Sequence, residues 1–275
     1  MSPPNRLTDL PAEARTVIEE RTGPLTSVQM LSAGLNSAIA ARLQLADGTS
    51  VFVKGMPTDH PWVWTQQRES EINRHTKRLA PRTLWHTREH GWDLLGFEHL
   101  DAVHADYTPG SPHLQLVLRA MWSLSSITAP SSVALRTMPQ RMNTYVDDPH
   151  VLKTFGGSTL LHTDWKPDNI LITDGRARLV DWGWATRGAA WIDPALWVIW
   201  LIACGHTPQE AEEHVHPHPA WNTALVASVD AFARAQARMW QSIAATDTPD
   251  EWTHDVHHAA TAWAKHRQRH PSPRA

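Results

Sequence analysis

Two carboxylates and a carboxamide stand close together near the middle of the chain. Asp164 and Asn169 fall in Leu161-His162-Thr163-Asp164-Trp165-Lys166-Pro167-Asp168-Asn169-Ile170, and Asp181 in Val180-Asp181-Trp182-Gly183. Their oxygens are the hard donors that Mg²⁺ prefers. The spacing carries a geometry. Asp174-Gly175 reads as a two-residue turn, with residues 170–173 and 178–180 as the arms of a hairpin. Pairing about that turn sets Asn169 opposite Val180 and Asp168 opposite Asp181. Antiparallel neighbours lie roughly 5 Å apart, so Asn169 and Asp181 are expected within reach of one metal cluster. Asp164 lies on the loop just before the hairpin.

The elements that must position these residues are legible in outline. A short helix over residues 10–21 stops at Gly23-Pro24. Strands follow at 25–31 and 36–46, then the turn Asp47-Gly48 and a return strand over 49–54. On that return strand Val51 and Val53 share one face, and Phe52 and Lys54 the other. A helix is expected from Pro61. Glu69, Ile72 and Leu79 form one stripe on it, and Arg68, Glu71, His75 and Arg78 another. The apolar stripe should face the sheet, so Glu69 points inward and Glu71 outward. Strands at 83–87 and 92–99 complete a small sheet. After Ser111 the spacing is mostly helical, as in Leu114, Val117, Leu118, Met121 and Leu124. Asp193-Pro194, Thr207-Pro208-Gln209-Glu210 and Thr248-Pro249-Asp250-Glu251 each open a helix, the last two as capping boxes. The predicted fold is α+β and two-lobed. Residues 1–99 make a small antiparallel sheet lobe with one key helix, and 100–275 a larger helical lobe whose end, 265–275, frays. A cleft between two such lobes is a natural ligand site.

Taken singly, each residue also has a plainer explanation. Lys54 reads as an edge-strand lysine, Glu69 as a surface helix charge, His162 as a brace of its loop and Asp193 as a helix cap. Trp182 and Trp184 read as packing residues.

Composition excludes several classes. The 275 residues hold 25 Lys+Arg against 28 Asp+Glu, which argues against a nucleic-acid binder carried by bulk charge. The single cysteine, Cys204, allows no intrachain disulfide and fits a reducing compartment. The first residues contain no apolar signal core, and the longest apolar run, 195–204, falls short of the ~20 residues of a membrane span. The expectation is a cytoplasmic protein with no membrane association and no obligate protein partner. Fifteen tryptophans and eighteen histidines are unusual counts to which composition assigns no role. The clusters His214-x-His216-x-His218 and His254-x-x-His257-His258 lack the arrangement of a zinc site.

The set as a whole resembles the aminoglycoside phosphotransferase family of the kinase-like fold. The family motif H-x-D-x-x-x-x-N is matched by His162, Asp164 and Asn169, and the later D-x-G by Asp181 and Gly183. Val51-Phe52-Val53-Lys54 matches the strand lysine that holds the ATP α/β-phosphates, and Glu69 the helix glutamate that pairs with it. Ser32-Ala33-Gly34-Leu35-Asn36-Ser37 takes the place of the phosphate loop, with one glycine where a full motif has three. Asp193-Pro194-Ala195 matches the buried aspartate below the catalytic loop. The resemblance spans about residues 28–205.

It implies a protein-kinase-like fold and an ATP- and Mg²⁺-dependent phosphotransferase with a hydroxyl acceptor. Asp164 would be the catalytic carboxylate, with Lys166 by the transferred phosphate. Asn169 and Asp181 would hold the metal. Gly34, Asn36, Ser37, Lys54 and Glu69 would hold the phosphates, and the backbone near Glu98 and Leu100 the adenine. Only eleven residues separate Asp181 from Asp193, too few for a peptide-docking segment, so a small-molecule acceptor is implied. Residues 188–260 carry nine Asp/Glu against two Arg. That suits a cationic acceptor such as an aminoglycoside, and hence antibiotic resistance, as well as it suits a solvated helix face. The alternatives are a kinase for an amino-alcohol, sugar or fructosamine, and a nucleotide-binding pseudokinase.

Overall fold

β-Branched and aliphatic residues in alternation, punctuated by Asp-Gly and His-Gly pairs, fold the first hundred residues into a meander. The computed structural model describes residues 9–31, 37–246 and 251–269. Its chain divides into two compact units, Met1–Asp101 with Val180–Gly183, and Ala102–Leu179 with Trp184–Ala275.

In the first unit, helix α1 (Ala12–Thr22) ends at Gly23, whose φ of 86° lets the chain turn into the sheet. Strands β1 (Leu25–Met30), β2 (Ile39–Leu45) and β3 (Ser50–Pro57) follow. Helix α2 (Trp64–Thr76), β4 (Thr83–Glu89) and β5 (Trp92–Glu98) complete the unit. The antiparallel sheet runs β1-β2-β3-β5-β4. Val51 and Val53 join Val17, Ile18, Val28, Leu43 and Leu94 in the core on the α1 side. Lys54 alternates with them and so lies on the opposite face, where it meets α2.

Helix α2 departs from the apolar stripe expected of it. Its buried residues are Thr65, Gln66, Glu69, Ile72, Asn73 and Thr76, so five of the six are polar. Hydrogen bonds dock it. Gln66 donates to the Asp93 carbonyl at 2.7 Å and to the Asp93 carboxylate at 3.0 Å. Asn73 donates to the Pro81 carbonyl at 2.6 Å and accepts from the Thr83 amide at 2.9 Å. Glu69 is buried and Glu71 is not, as the helical phase predicts.

The second unit opens with β6 (Val103–His104), α3 (His113–Ser125), α4 (Met138–Met142), α5 (Pro149–Lys153) and β7 (Thr159–Leu161). The hairpin β8 (Ile170–Thr173) and β9 (Arg176–Leu179) leads to β10 (Thr186–Gly188). Then come α6 (Ile192–Ala203), α7 (Pro208–Val215), α8 (Pro219–Asn222), α9 (Val226–Ala244) and α10 (Glu251–Arg269). The long apolar run is α6, buried from Ile192 to Leu201. Cys204 caps it half-exposed rather than inside it. Burial, with the charges of Asp106 and Asp168, pushes its thiol up to about 11.

The capping box Thr207–Glu210 forms as expected, while most of the one at 248–251 lies outside the described residues. Of the tail expected to fray, residues 270–275 lie outside the described residues. α10 stays helical to Arg269 because Arg267 is clamped by Glu212 at 2.6 Å and Asp230 at 2.5 Å. Among the described residues no helix is long and apolar enough to cross a membrane.

Candidate active site

The first unit holds a charge cluster. β3 pairs Lys54 with Ala40 on one side and Leu95 on the other, which fixes the direction of its side chain. The Lys54 ammonium lies 2.9 Å from Glu69 Oε2 and 3.0 Å from Asp181 Oδ1, and the Asp181 amide donates to Glu69 Oε1 at 3.1 Å. Lys54 and Glu69 are only 13% and 5% exposed, so these charges act in a low-dielectric setting. Burial alone would depress the Lys54 ammonium, but the charges of Asp181 and Glu69 outweigh it and raise the lysine above its ordinary value. Burial, opposed by Lys54 and aided by the like charge of Asp181, raises the Glu69 carboxyl. Two carboxylates share the Lys54 ammonium.

Gly183 allows the chain after Asp181 to press against α2. A Cβ there would lie 2.8 Å from the Thr65 Cβ. Arg68 donates to the Gly183 carbonyl at 3.4 Å and stacks on Trp64, 4.6 Å from the ring centroid.

The second unit holds a loop braced from below. Asp193 is buried and accepts the backbone N–H of His162 and of Thr163, both at 3.0 Å. Burial raises its carboxyl, and the two amide donors work against that rise. His162 is fully buried edge-on to Trp165, as a brace would be. Its Nδ1 accepts the Asp164 amide at 3.3 Å, and Asn169 Nδ2 donates to the Asp164 carbonyl at 3.3 Å. That bond leaves the Asn169 Oδ1 as the atom suited to a cation. Lys166 pairs with Asp168 at 2.8 Å, and its ammonium sits 5.0 Å from the centroid of the Trp252 ring.

The hairpin has the expected register, with Ile170 opposite Leu179 and Thr173 opposite Arg176. Its turn residues Asp174 and Gly175 both take positive φ. The pairing does not extend to Asp168 and Asp181 as predicted. Residues Pro167–Asn169 form a 3₁₀ turn, and Asp181 adopts a φ of 63° that carries it off the ladder into the first unit.

Of the remaining candidates, Gly34 and Asn36 lie outside the described residues. Ser37 precedes β2 and is half-buried. Glu98 is engaged with the neighbouring strand. Its amide donates to the Arg82 carbonyl and its Oε1 accepts the Arg82 amide, at 2.9 and 3.0 Å. The Glu98 N–H is thus taken within the sheet, and Leu100 follows half-buried.

Sequence reading missed two features. Thr163, a β-branched residue, sits at a φ of 68°, a conformation that such residues rarely adopt. Arg141 on α4 donates to its hydroxyl. Nothing in the local pattern signals either, since their partners are far along the chain.

No protein-family model matches the chain, and no curated protein matches it in sequence. Solved structures share its backbone fold. A thermostable mutant of aminoglycoside phosphotransferase APH(4)-Ia superposes with a TM-score of 0.62 at 15% identity, over 91% of this chain and 98% of that one. The chain has the aminoglycoside phosphotransferase fold. Choline kinase LicA from Streptococcus pneumoniae shares that fold, with a TM-score of 0.61 at 14% identity over 91% of this chain and 98% of its own. So does a choline/ethanolamine kinase family protein from Mesorhizobium loti, at 0.60 and 16% over 94% and 91%. APH(4)-Ia has also been solved in ternary complexes with hygromycin B and either ADP or AMP-PNP. The aminoglycoside phosphotransferase fold thus accommodates a nucleotide and hygromycin B together in that protein.

Proposed function

We propose that the protein is an ATP-dependent phosphotransferase that moves the γ-phosphate to a hydroxyl of a small molecule. The observation that carries this reading is the Lys54 ammonium held between Glu69 and Asp181. In this reading Lys54, kept charged and aimed by Glu69, binds the α/β-phosphates. The donors suit Mg²⁺. Asp181 supplies a carboxylate, and Asn169 supplies a carbonyl oxygen whose amide nitrogen is already engaged. Neutralisation of charge on the phosphate oxygens is what Mg²⁺ supplies when bound. Asp164 orients the acceptor hydroxyl and takes its proton on the carboxylate. Lys166, on its flexible stem, turns from Asp168 to the transferred phosphate. Retention of Lys54, Glu69, Asp164, Asn169 and Asp181 argues against a pseudokinase.

An aminoglycoside-like acceptor, and with it antibiotic resistance, draws support from the hygromycin B complexes of APH(4)-Ia. The acidic excess of residues 188–260 supports it less than the sequence suggested. Asp193 braces the loop, Glu210 caps α7, and Glu212 and Asp230 clamp Arg267. A second reading, an amino-alcohol acceptor, is favoured by an aromatic cluster. Trp200 and Trp240 each pack 5.7 Å from Trp252, whose face already takes the Lys166 ammonium. We assign the reaction to the cytoplasm, where ATP is supplied.

The test is a mass-spectrometric screen of ATP consumption over hydroxyl-bearing antibiotics, amino-alcohols and sugars. Formation of ADP with a phosphorylated product, dependent on Mg²⁺, is the expected result. MgATP binding without consumption across the whole library would replace this reading with the pseudokinase.

A further inference from the structure

We propose that Arg141 is a positioning residue that sets the backbone of Thr163 and, through it, the direction of Asp164. The proposal deepens the phosphotransferase reading and rests on it for the role of Asp164. Its geometry lies wholly within the second unit. Arg141 Nη1 donates to Thr163 Oγ1 at 2.7 Å, to Thr186 Oγ1 at 2.7 Å and to the Trp184 carbonyl at 3.1 Å. Its guanidinium carbon stands 5.6 Å from the centroid of the Trp184 ring. Thr163 and Thr186 both pass their hydroxyl protons to the same Trp184 carbonyl, at 2.9 and 2.8 Å.

Thr163 is where such support is needed. At a φ of 68° its branched side chain is strained, and left alone the residue would relax toward extended backbone. That relaxation would rotate the chain at the residue just before Asp164. Asp193 holds the Thr163 amide, but a bond to the amide alone does not fix the side chain. Arg141 holds the hydroxyl, so the residue is gripped at both ends. It also ties the loop to Trp184 and Thr186, which follow the Asp181-Trp182-Gly183 triplet in the chain. A planar guanidinium can reach several acceptors and stack on an indole at once, which an ammonium cannot.

The experiment measures Mg²⁺-dependent ATP hydrolysis, with water as acceptor, in Arg141→Ala, Arg141→Lys, Thr163→Val and the Arg141→Ala/Thr163→Val double variant. Arg141→Ala should lower kcat by about 10- to 100-fold, the range that a displacement of order 1 Å produces, with KM for MgATP little changed. Added guanidinium should restore part of the loss, and Arg141→Lys should lie between. Thr163→Val should reproduce the deficit and the double variant should be no worse, because both remove one link. In parallel, amide exchange at His162 and Thr163 should quicken in Arg141→Ala while that of α9 stays unchanged. Unaltered kcat, additive losses, or kcat and KM failing together with the melting temperature would overturn the proposal. If the wild type hydrolyses no ATP and phosphorylates no acceptor, the phosphotransferase reading falls. The exchange measurement then decides the grip on Thr163 by itself, and unchanged exchange at those two amides would refute it.

Discussion

Lys54 is one ammonium shared by two carboxylates, and that imbalance has a thermodynamic signature. Its pKa is raised in the folded protein, so the ion pairs contribute fully below the ordinary lysine value of 10.5 and are lost as pH climbs beyond it. Lys54→Met should therefore be less stable than the wild type at pH 8, by about 3–5 kcal/mol if the broken pair behaves as other buried pairs do. The gap should close as pH rises above 10.5. Melting curves from pH 8 to pH 12 read it directly, and a gap independent of pH would mean that Lys54 contributes by packing. The proposed reading divides the carboxylates by role. Asp164→Asn should cut turnover by about 10²- to 10⁴-fold while MgATP affinity holds, since in that reading it removes the base and no nucleotide contact. Asp181→Asn should instead abolish the Mg²⁺-dependent part of nucleotide binding in calorimetry. Reversed results for the two would exchange their assignments.

Helix α2 is docked by polar contacts, which makes its position depend on a few bonds. Gln66→Leu would leave the fully buried Asp93 carboxylate and carbonyl short of a donor, at a cost of about 1–3 kcal/mol. It should also weaken MgATP binding, because Glu69 lies one turn further along the same face. Glu69→Gln should impair nucleotide use far more than Glu71→Gln, whose partner is the exposed Gln67 on its own helix. Equal effects from the two would contradict the inward placement of Glu69. Gly183→Ala should act from the other side by driving a methyl into Thr65, and its MgATP affinity should fall with its melting temperature.

How much of this was legible follows from range. The strands, the Asp-Gly turns and the phase of Glu69 are written in spacings of two to four residues, and the motif from His162 to Gly183 is a local string. The polar character of the α2 face was not legible, since Gln66 meets Asp93 across 27 residues. Nor was the Thr163 brace, whose partner Arg141 lies 22 residues away. Left-handed backbone at Thr163 has no signal in residue type, because glycine is the usual occupant and a β-branched residue the rarest; at Asp181 the signal is only aspartate's general tolerance of that region.

At the scale of the whole molecule, charge would decide how an acceptor arrives in the proposed reaction. The chain carries 28 acidic against 25 basic residues, so capture over distance depends on local fields rather than net charge. If the acceptor is a polycation, its KM should rise with salt as the Debye length shrinks from ~10 Å at 0.1 M to ~3 Å at 1 M. A kcat/KM series over that range, run with cationic and neutral acceptors from the screen, separates the cases. A flat profile for the best substrate would remove the aminoglycoside-like reading and leave the kinase chemistry intact. Residues Val180–Gly183 have a further consequence, since they belong to the first unit while both flanks belong to the second. Inheritance by parts is closed to this protein at the junction that divides its units. A crossover between relatives at residue 101 would take Lys54 and Glu69 from one parent and Asp181 from the other, whereas one beyond Gly183 passes the three on as a single block. Chimaeras joined at the two points should differ in MgATP binding for that reason, and recombination should tolerate the later join more readily.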